Sequence, residues 1–189
     1  MGNENADAVR RATEDHPSAA RIAGLSPDEF KLAFRNHAAG VAVITADAGD
    51  GPVALTATSV FSVSAEPPLL IFSISSASSS APTIRKAETL IVHLLGADQI
   101  GLARLGATSG IDRFADRTIW DRLVTGEPYF PSAHAWIRGR VINRMEAGTS
   151  TVIAVHALQA KLPEDAGDAA PLVYHNRQYH SLGDHSRLS

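Results

Sequence analysis

The sequence predicts a mainly β protein: a barrel of six or so antiparallel strands with a few short peripheral helices. Three observations carry that expectation. Beyond Gly40 the chain turns into short β-type runs separated by Gly, Pro, Asp and Ser turn signals. The spacing between those runs is too short for the alternating helices of a doubly wound parallel sheet. At 189 residues, with 44% hydrophobic and 20% charged, the chain has the composition of one ordinary packed unit rather than a disordered or fibrous one.

Residues 1–25 are rich in charge, Ala and small polar residues with little apolar periodicity, and read as a flexible tail. The folded domain is expected over 26–183, with 184–189 as a short C-terminal tail. It opens with a helix start: Ser26 as N-cap, Pro27 at the first helical position and Glu29 completing a capping box. Phe30, Leu32, Ala33 and Phe34 would pack that helix, and Gly40 would end it.

Strands follow at 41–45 and, after the turn Asp47-Ala48-Gly49-Asp50-Gly51, at 53–64, the two forming a hairpin. Residues 69–75, 90–95, 133–143, 151–159 and 172–174 supply the remaining strands. Helical pieces fall only between strands, at 82–87 and 97–105, where Ile100, Leu102, Ala103 and Leu105 form an apolar stripe.

Composition excludes several classes of function. The absence of cysteine removes disulfide scaffolds, Cys-ligated zinc, thiol nucleophiles and iron–sulfur clusters. A net charge of -3 and a pI near 6.2, with no stretch concentrating Lys and Arg, argue against a nucleic-acid partner. No signal peptide core and no apolar run of membrane-spanning length is present, so the chain reads as cytoplasmic and without a membrane partner. The eight histidines show no metal-ligand spacing, and no metal is expected.

Two segments carry chemistry. Alternation along 54–64 puts Thr56, Thr58, Ser62 and Ser64 on one face and Leu55, Ala57, Phe61 and Val63 on the other. Hydroxyls on the wet side of an antiparallel strand account for this pattern as readily as a ligand does. Serines cluster over 75–80 where a strand gives way to the helix near Pro82, placing small side chains and free N–H groups where a phosphate can approach. A flexible serine loop or an N-cap explains that cluster equally. Together the two segments can serve the two ends of a flavin mononucleotide, the cofactor supplying the redox chemistry.

From about Phe30 to Leu182 the order of elements resembles the flavin reductase family, whose fold is a six-stranded antiparallel Greek-key split β-barrel that binds FMN. The matching words are FRNHAAGVAVIT ending at Thr45, LTATSVFSVSAEPP from Leu55 to Pro68, Arg113-Phe114-Ala115, Gly126-Glu127-Pro128, and Pro171 to His175 leading to Tyr179. The resemblance implies that Thr56, Ala57, Thr58 and Ser59 line the isoalloxazine, that Ser73, Ile74 and Ser75 flank the ribityl chain, and that Ser78, Ser79 and Ser80 reach the phosphate. It implies that Phe114 closes the pocket, from its own or from the other subunit. Beside Phe114, Asp112, Arg113 and Asp116 cluster, where a cation could favour the anionic reduced flavin, although an ordinary surface ion-pair loop is the commoner explanation. The resemblance further implies a homodimer with the flavin near the subunit interface.

The chain departs from the family at one word. Many such reductases carry Gly-Asp-His at the start of the late strand, with the His near the nicotinamide; here the stretch reads Gly148-Thr149-Ser150-Thr151. Ser150 supplies neither a titratable charge near neutrality nor a flat ring. His175 and Tyr179, with Ser150, are the residues assigned to the nicotinamide side, and His156 and His180 are further stand-ins. No catalytic acid, base or nucleophile is assigned.

The implied activity is an NAD(P)H:flavin oxidoreductase: FMN, or FAD in its place, is reduced by a nicotinamide co-substrate and leaves for a partner monooxygenase. An FMN-binding barrel without nicotinamide-dependent turnover, serving as electron carrier or sensor, is the alternative. A split barrel for another ligand, such as haem or a deazaflavin, is a third.

Overall fold

The structure is a computed structural model, and it describes residues 24–162 and 170–188. The chain divides into two compact units, Met1–Phe34 and Arg35–Ser189. The tail expected over 1–25 therefore lies almost wholly outside the described residues.

In the first unit helix α1 spans Pro27–Phe34. Its start is the expected capping box: the Ser26 N–H and hydroxyl donate to the Glu29 carboxylate at 2.9 and 2.6 Å, and the Glu29 N–H returns to the Ser26 hydroxyl at 3.3 Å. The Phe30 and Phe34 rings lie 4.8 Å apart, one turn along. None of its residues is buried, contrary to the packing expected of them.

The second unit is mainly β. Its strands are β1 (Ala39–Gly40), β2 (Ala42–Ala46), β3 (Val53–Ala57), β4 (Phe61–Ala65), β5 (Pro68–Ser75), β6 (Thr89–Leu94), β7 (Asp121–Arg122), β8 (Pro128–Tyr129), β9 (Ala135–Ala147), β10 (Ser150–Lys161), β11 (Leu172–His175) and β12 (Gln178–Ser181). Two helices, α2 (Ala81–Lys86) and α3 (Ile100–Ala107), flank them. Seven strands pair in the order β3-β2-β6-β9-β10-β5-β4, three more in the order β1-β11-β12, and β7 pairs β8; every pairing is antiparallel.

The run expected as one strand over 53–64 is two. β3 and β4 stand at opposite edges of the seven-stranded sheet, yet only residues 58–60 join them. Laid flat, seven strands would hold those edges about 29 Å apart. Four Cα steps reach at most about 14 Å. The sheet therefore curls, bringing the end of β3 and the start of β4 together at this corner.

Curling creates an interior and an exterior, and both are packed around β2 and β6. Ala42, Ile44, Leu90 and Val92 face inward with Leu55, Leu70, Phe72, Ile74, Ile153 and Val155. Val43 faces the other way into a second core with Ala103, Phe114, Trp120, Phe130 and Leu172. Burial on both faces explains why β2 reads as a continuous apolar run rather than an alternating one. Gly139 of β9 permits close approach to β10: a Cβ there would stand 2.2 Å from Val155 Cγ1.

Candidate functional site

A cleft of about 690 Å³ opens at the corner where β3 passes to β4. Its floor is strand backbone and small side chains: Leu55, Thr56, Ala57, Thr58 and Ser59, with Ser73, Ile74 and Ser75 of β5. Ala77, Ser78 and Ser79 of the loop before α2 form one wall, with Ser150 at the start of β10. Gly106 and Ala107 of α3, then Ser109, Gly110 and Arg113, complete the lining. The two serine- and threonine-bearing segments picked out in the sequence thus meet in one place.

Several of these hydroxyls hold the scaffold. Thr56 Oγ1 donates to the Ala103 carbonyl at 2.6 Å, tying α3 to β3. Gly106 seals the same contact, for a Cβ there would lie 2.5 Å from Thr56 Oγ1. Ser59 clips the corner to β5: its Oγ donates to the Ser73 carbonyl at 3.2 Å and accepts the Ser73 N–H at 3.0 Å. Ser75 and Ser78 oxygens accept the N–H groups of Ala77 and Ser80. The hydroxyls of Thr58, Ser79, Ser109 and Ser150 have no protein partner among the described residues, and they remain for a ligand.

Four expected site residues lie elsewhere. Ser80 is 1% exposed and donates to the Ala54 carbonyl at 2.8 Å, so its hydroxyl anchors the start of α2 to β3 instead of lining the cleft. Phe114 is buried in the second core, edge-on to Trp120 and stacked on Phe130, and does not close the cleft from its own subunit. His175 and Tyr179 sit on the β1-β11-β12 sheet, where Tyr179 packs on Tyr174 with ring centroids 5.2 Å apart. Gly106, Ala107, Ser109 and Gly110 escaped the sequence reading, although the small-residue run from Gly106 to Gly110 was the available signal.

The cleft accepts a flat, polar ligand on its own terms. Its lining combines unpartnered hydroxyls, a strand floor of Thr, Ala and Ser, and one guanidinium whose Nε is buried without a hydrogen-bond partner. Buried donors without acceptors are rare unless a ligand answers them. A phosphate-bearing aromatic cofactor supplies acceptors for both kinds of group, so the residues present fit a flavin mononucleotide.

Fold and site together define a mainly β, ligand-binding protein with its cleft at the mouth of a curled antiparallel sheet. The chain belongs to the flavin reductase like domain family, whose description matches residues 34–183. It is 42% identical over 162 residues to an NADH:FMN oxidoreductase of Rhodococcus qingshengii, covering 83% of this chain and 82% of that protein. It is 30% identical over 155 residues to the reductase component of 4-nitrophenol 4-monooxygenase/4-nitrocatechol 2-monooxygenase from Rhodococcus opacus, covering 82% and 80%. The crystal structure of a flavin reductase domain protein from Arthrobacter sp. FB24 superposes with a TM-score of 0.77 at 34% identity, covering 82% of this chain and 95% of that one.

Proposed function

We propose that the protein is an NAD(P)H-dependent flavin reductase that takes FMN, with FAD as the alternative, and delivers reduced flavin to a partner monooxygenase. The observation that carries this reading is the hydroxyl-lined cleft at the β3–β4 corner in a chain 42% identical to an NADH:FMN oxidoreductase. A bound flavin supplies the redox chemistry there. The chain's own residues bind and orient it: Thr58, Ser79 and Ser150 offer free hydroxyls, Ala57 and Ile74 give apolar contact, and Thr56 and Ser59 hold the floor in shape. Positioning of two rings face to face is the main contribution asked of the protein.

The curled seven-stranded sheet is read as the six-stranded Greek-key split barrel with an added edge strand, and the flavin-binding domain is assigned to 26–183. A homodimer is supported by an exposed apolar face beside the cleft: Phe61, Ile142 and Met145 are 50%, 51% and 58% exposed. Strand register sets Phe61 against Ile71, Met145 against Val152, and Val152 against the cleft residue Ser73. Solution scattering is expected to give twice the 20.0 kDa chain mass; a monomer that still binds flavin would sink the dimer reading. Among the described residues no helix is long and apolar enough to cross a membrane; action in the cytoplasm is part of the proposed reading.

The deciding experiment is oxidation of NADH and of NADPH, followed at 340 nm, by the purified protein with FMN or FAD added. Turnover with either nicotinamide is the expected result, and it would show that Ser150 suffices where relatives of this kind carry an imidazole. Tight flavin binding with no nicotinamide oxidation would replace the reductase with a flavin carrier or sensor.

A further inference from the structure

We propose that the β11–β12 hairpin, with Arg35 and Arg104 beside it, is a docking surface for an acidic, extended segment of a partner protein. Under the reductase reading, on which this partner's identity rests, it is the protein that takes up the reduced flavin. The fold assembles the surface from three segments, 35–46, 99–111 and 170–183, and none of them contains an aspartate or a glutamate. Their Lys and Arg complement is Arg35, Arg104 and Arg177, all exposed and without a carboxylate partner among the described residues. His175 and His180 stand with Arg177 on the hairpin, their ring centroids 5.6 Å apart. In a chain of net charge -3, cations on a face without carboxylates form a local field of the opposite sign.

Two contacts bring the arginines together. The Asn176 N–H donates to the Arg35 carbonyl at 3.2 Å, which sets Arg35 beside the hairpin turn. Burial and the neighbouring Tyr174 push the Tyr179 phenol up while the Arg104 guanidinium opposes them, so Arg104 stands near Tyr179 of β12. Arg104 is also one turn of α3 from Ala107, which lines the cleft, and the patch therefore borders the cleft. The turn itself singles out Arg177. His175 pairs with Gln178, leaving Asn176 and Arg177 as a two-residue loop with φ of 46° and 63°. Such a loop favours Asn-Gly, because glycine takes the left-handed region at the second position without steric cost. Arginine is held there against its backbone preference, and an exposed side chain kept at such a position is accounted for by what it binds. β12 ends the sheet order β1-β11-β12, so an extended segment can lie along its outer edge while its carboxylates meet the guanidinium groups.

The test follows the fluorescence anisotropy of a fluorescein-labelled octaglutamate peptide titrated with the full chain at about 25 mM and about 200 mM salt. The variants are Arg177→Gly, Arg177→Lys, the double change Arg104→Gln with Arg177→Gln, and Lys86→Gln as a control that removes a like charge from α2. Wild type is expected to bind the peptide at the lower salt and to weaken on addition of salt. The double variant should bind roughly 10-fold more weakly, Arg177→Lys within about threefold of wild type, and Lys86→Gln like wild type. Arg177→Gly should bind more weakly yet melt roughly 2 °C higher, because the left-handed position no longer carries a Cβ. Absence of binding at the lower salt, or equal losses in the double variant and in Lys86→Gln, would overturn the proposal. So would an Arg177→Gly variant that melts lower, which would make the side chain part of the fold, or a single-stranded oligothymidylate that binds through the same arginines more tightly than the peptide. A chain that binds the peptide through these arginines but oxidises no nicotinamide with flavin present keeps the docking surface and overturns the reductase reading instead.

Discussion

Replacing Glu127 with alanine is expected to lower the stability of the folded chain by about 3–5 kcal/mol, the cost of leaving a buried charge without its partner. Glu127 follows the tight turn between β7 and β8, closed by the Leu123 N–H on its own carbonyl at 2.9 Å and by the Gly126 N–H on the Leu123 carbonyl at 2.8 Å. Its carboxylate accepts Arg138 Nε at 2.8 Å from β9 and the Thr125 hydroxyl from the turn, and the Thr89 hydroxyl of β6 also reaches it. Burial pushes the Glu127 carboxyl up, but the hydrogen bonds from Thr125, Thr89, its own N–H and Arg138 outweigh burial and hold it below the usual carboxylate range. The side chains of Glu127 and Arg138 are 4% and 17% exposed, so water replaces little of what is lost.

For a chain of this size a loss of about 3–5 kcal/mol is a large share of the total stability and lowers the melting midpoint by roughly 10 °C. Glu127→Gln should lose less, since the amide can still accept from Thr125. The pair Glu127→Leu with Arg138→Met should recover much of the loss, because removing both charges leaves none buried alone. Urea midpoints of the three variants check this. An alanine variant within about 1 kcal/mol of wild type would mean that Arg138 finds water or another acceptor.

This ion pair illustrates which features the sequence exposes. The Gly126-Glu127-Pro128 word was visible, but Arg138 is 11 residues away on another strand, and nothing local marks their meeting. Local signals, by contrast, were read well: the Ser26 capping box and the serines leading into α2 depend on neighbours within a few residues. The alternation expected along 54–64 held only in part, for Phe61 and Val63, placed on the core face, are 50% and 57% exposed. The break at residues 58–60 was hidden because Thr58 and Val60 favour strands and no Gly or Pro marks the turn. At this corner Ser59 pairs with Ser73 and so extends the β4–β5 ladder into the break, a contact with a strand 14 residues on. Phe114 falls outside the cleft of its own chain for the same reason: its partners Trp120 and Phe130 make a core outside the curled sheet, and a single aromatic beside an arginine reads like a lid when that second core is out of view. Ser80 shows the limit of composition, since in a run of serines only the fold decides which hydroxyl turns inward to Ala54 and which faces the cleft.

Acid should weaken the folded chain well before its carboxylates protonate, and His93 is the cause. This residue of β6 is 0% exposed on the outer face of the sheet, its ring 5.4 Å from that of Phe130. Nε2 accepts the Phe130 N–H at 3.0 Å, which leaves the proton on Nδ1, and Nδ1 donates to the Val43 carbonyl at 2.9 Å. Both nitrogens are thereby committed in the neutral form, and protonation would turn the acceptor on Phe130 into a donor facing a donor. Burial lowers its pKa from 6.5 to about 4, against a smaller opposing effect of the bond to Val43. The unfolded chain takes up a proton on this residue below pH 6.5 and the folded chain only near pH 4, so the unfolded state binds more protons between them. Stability is fully present above 6.5 and declines as pH falls through that window, by about 3 kcal/mol in all at about 1.4 kcal/mol for each pH unit. Roughly 2 kcal/mol of this should be lost between pH 7 and pH 5, a range in which Glu127, with its lowered pKa, stays ionised. His93→Asn places an amide nitrogen near the Nδ1 position and cannot titrate. It should be less stable than wild type at pH 7, for want of an acceptor on the Phe130 N–H, yet lose far less on acidification to pH 5. Urea midpoints of both proteins at pH 7, 6 and 5 measure the difference, and parallel slopes would mean that His93 is not the group that makes the fold acid-sensitive.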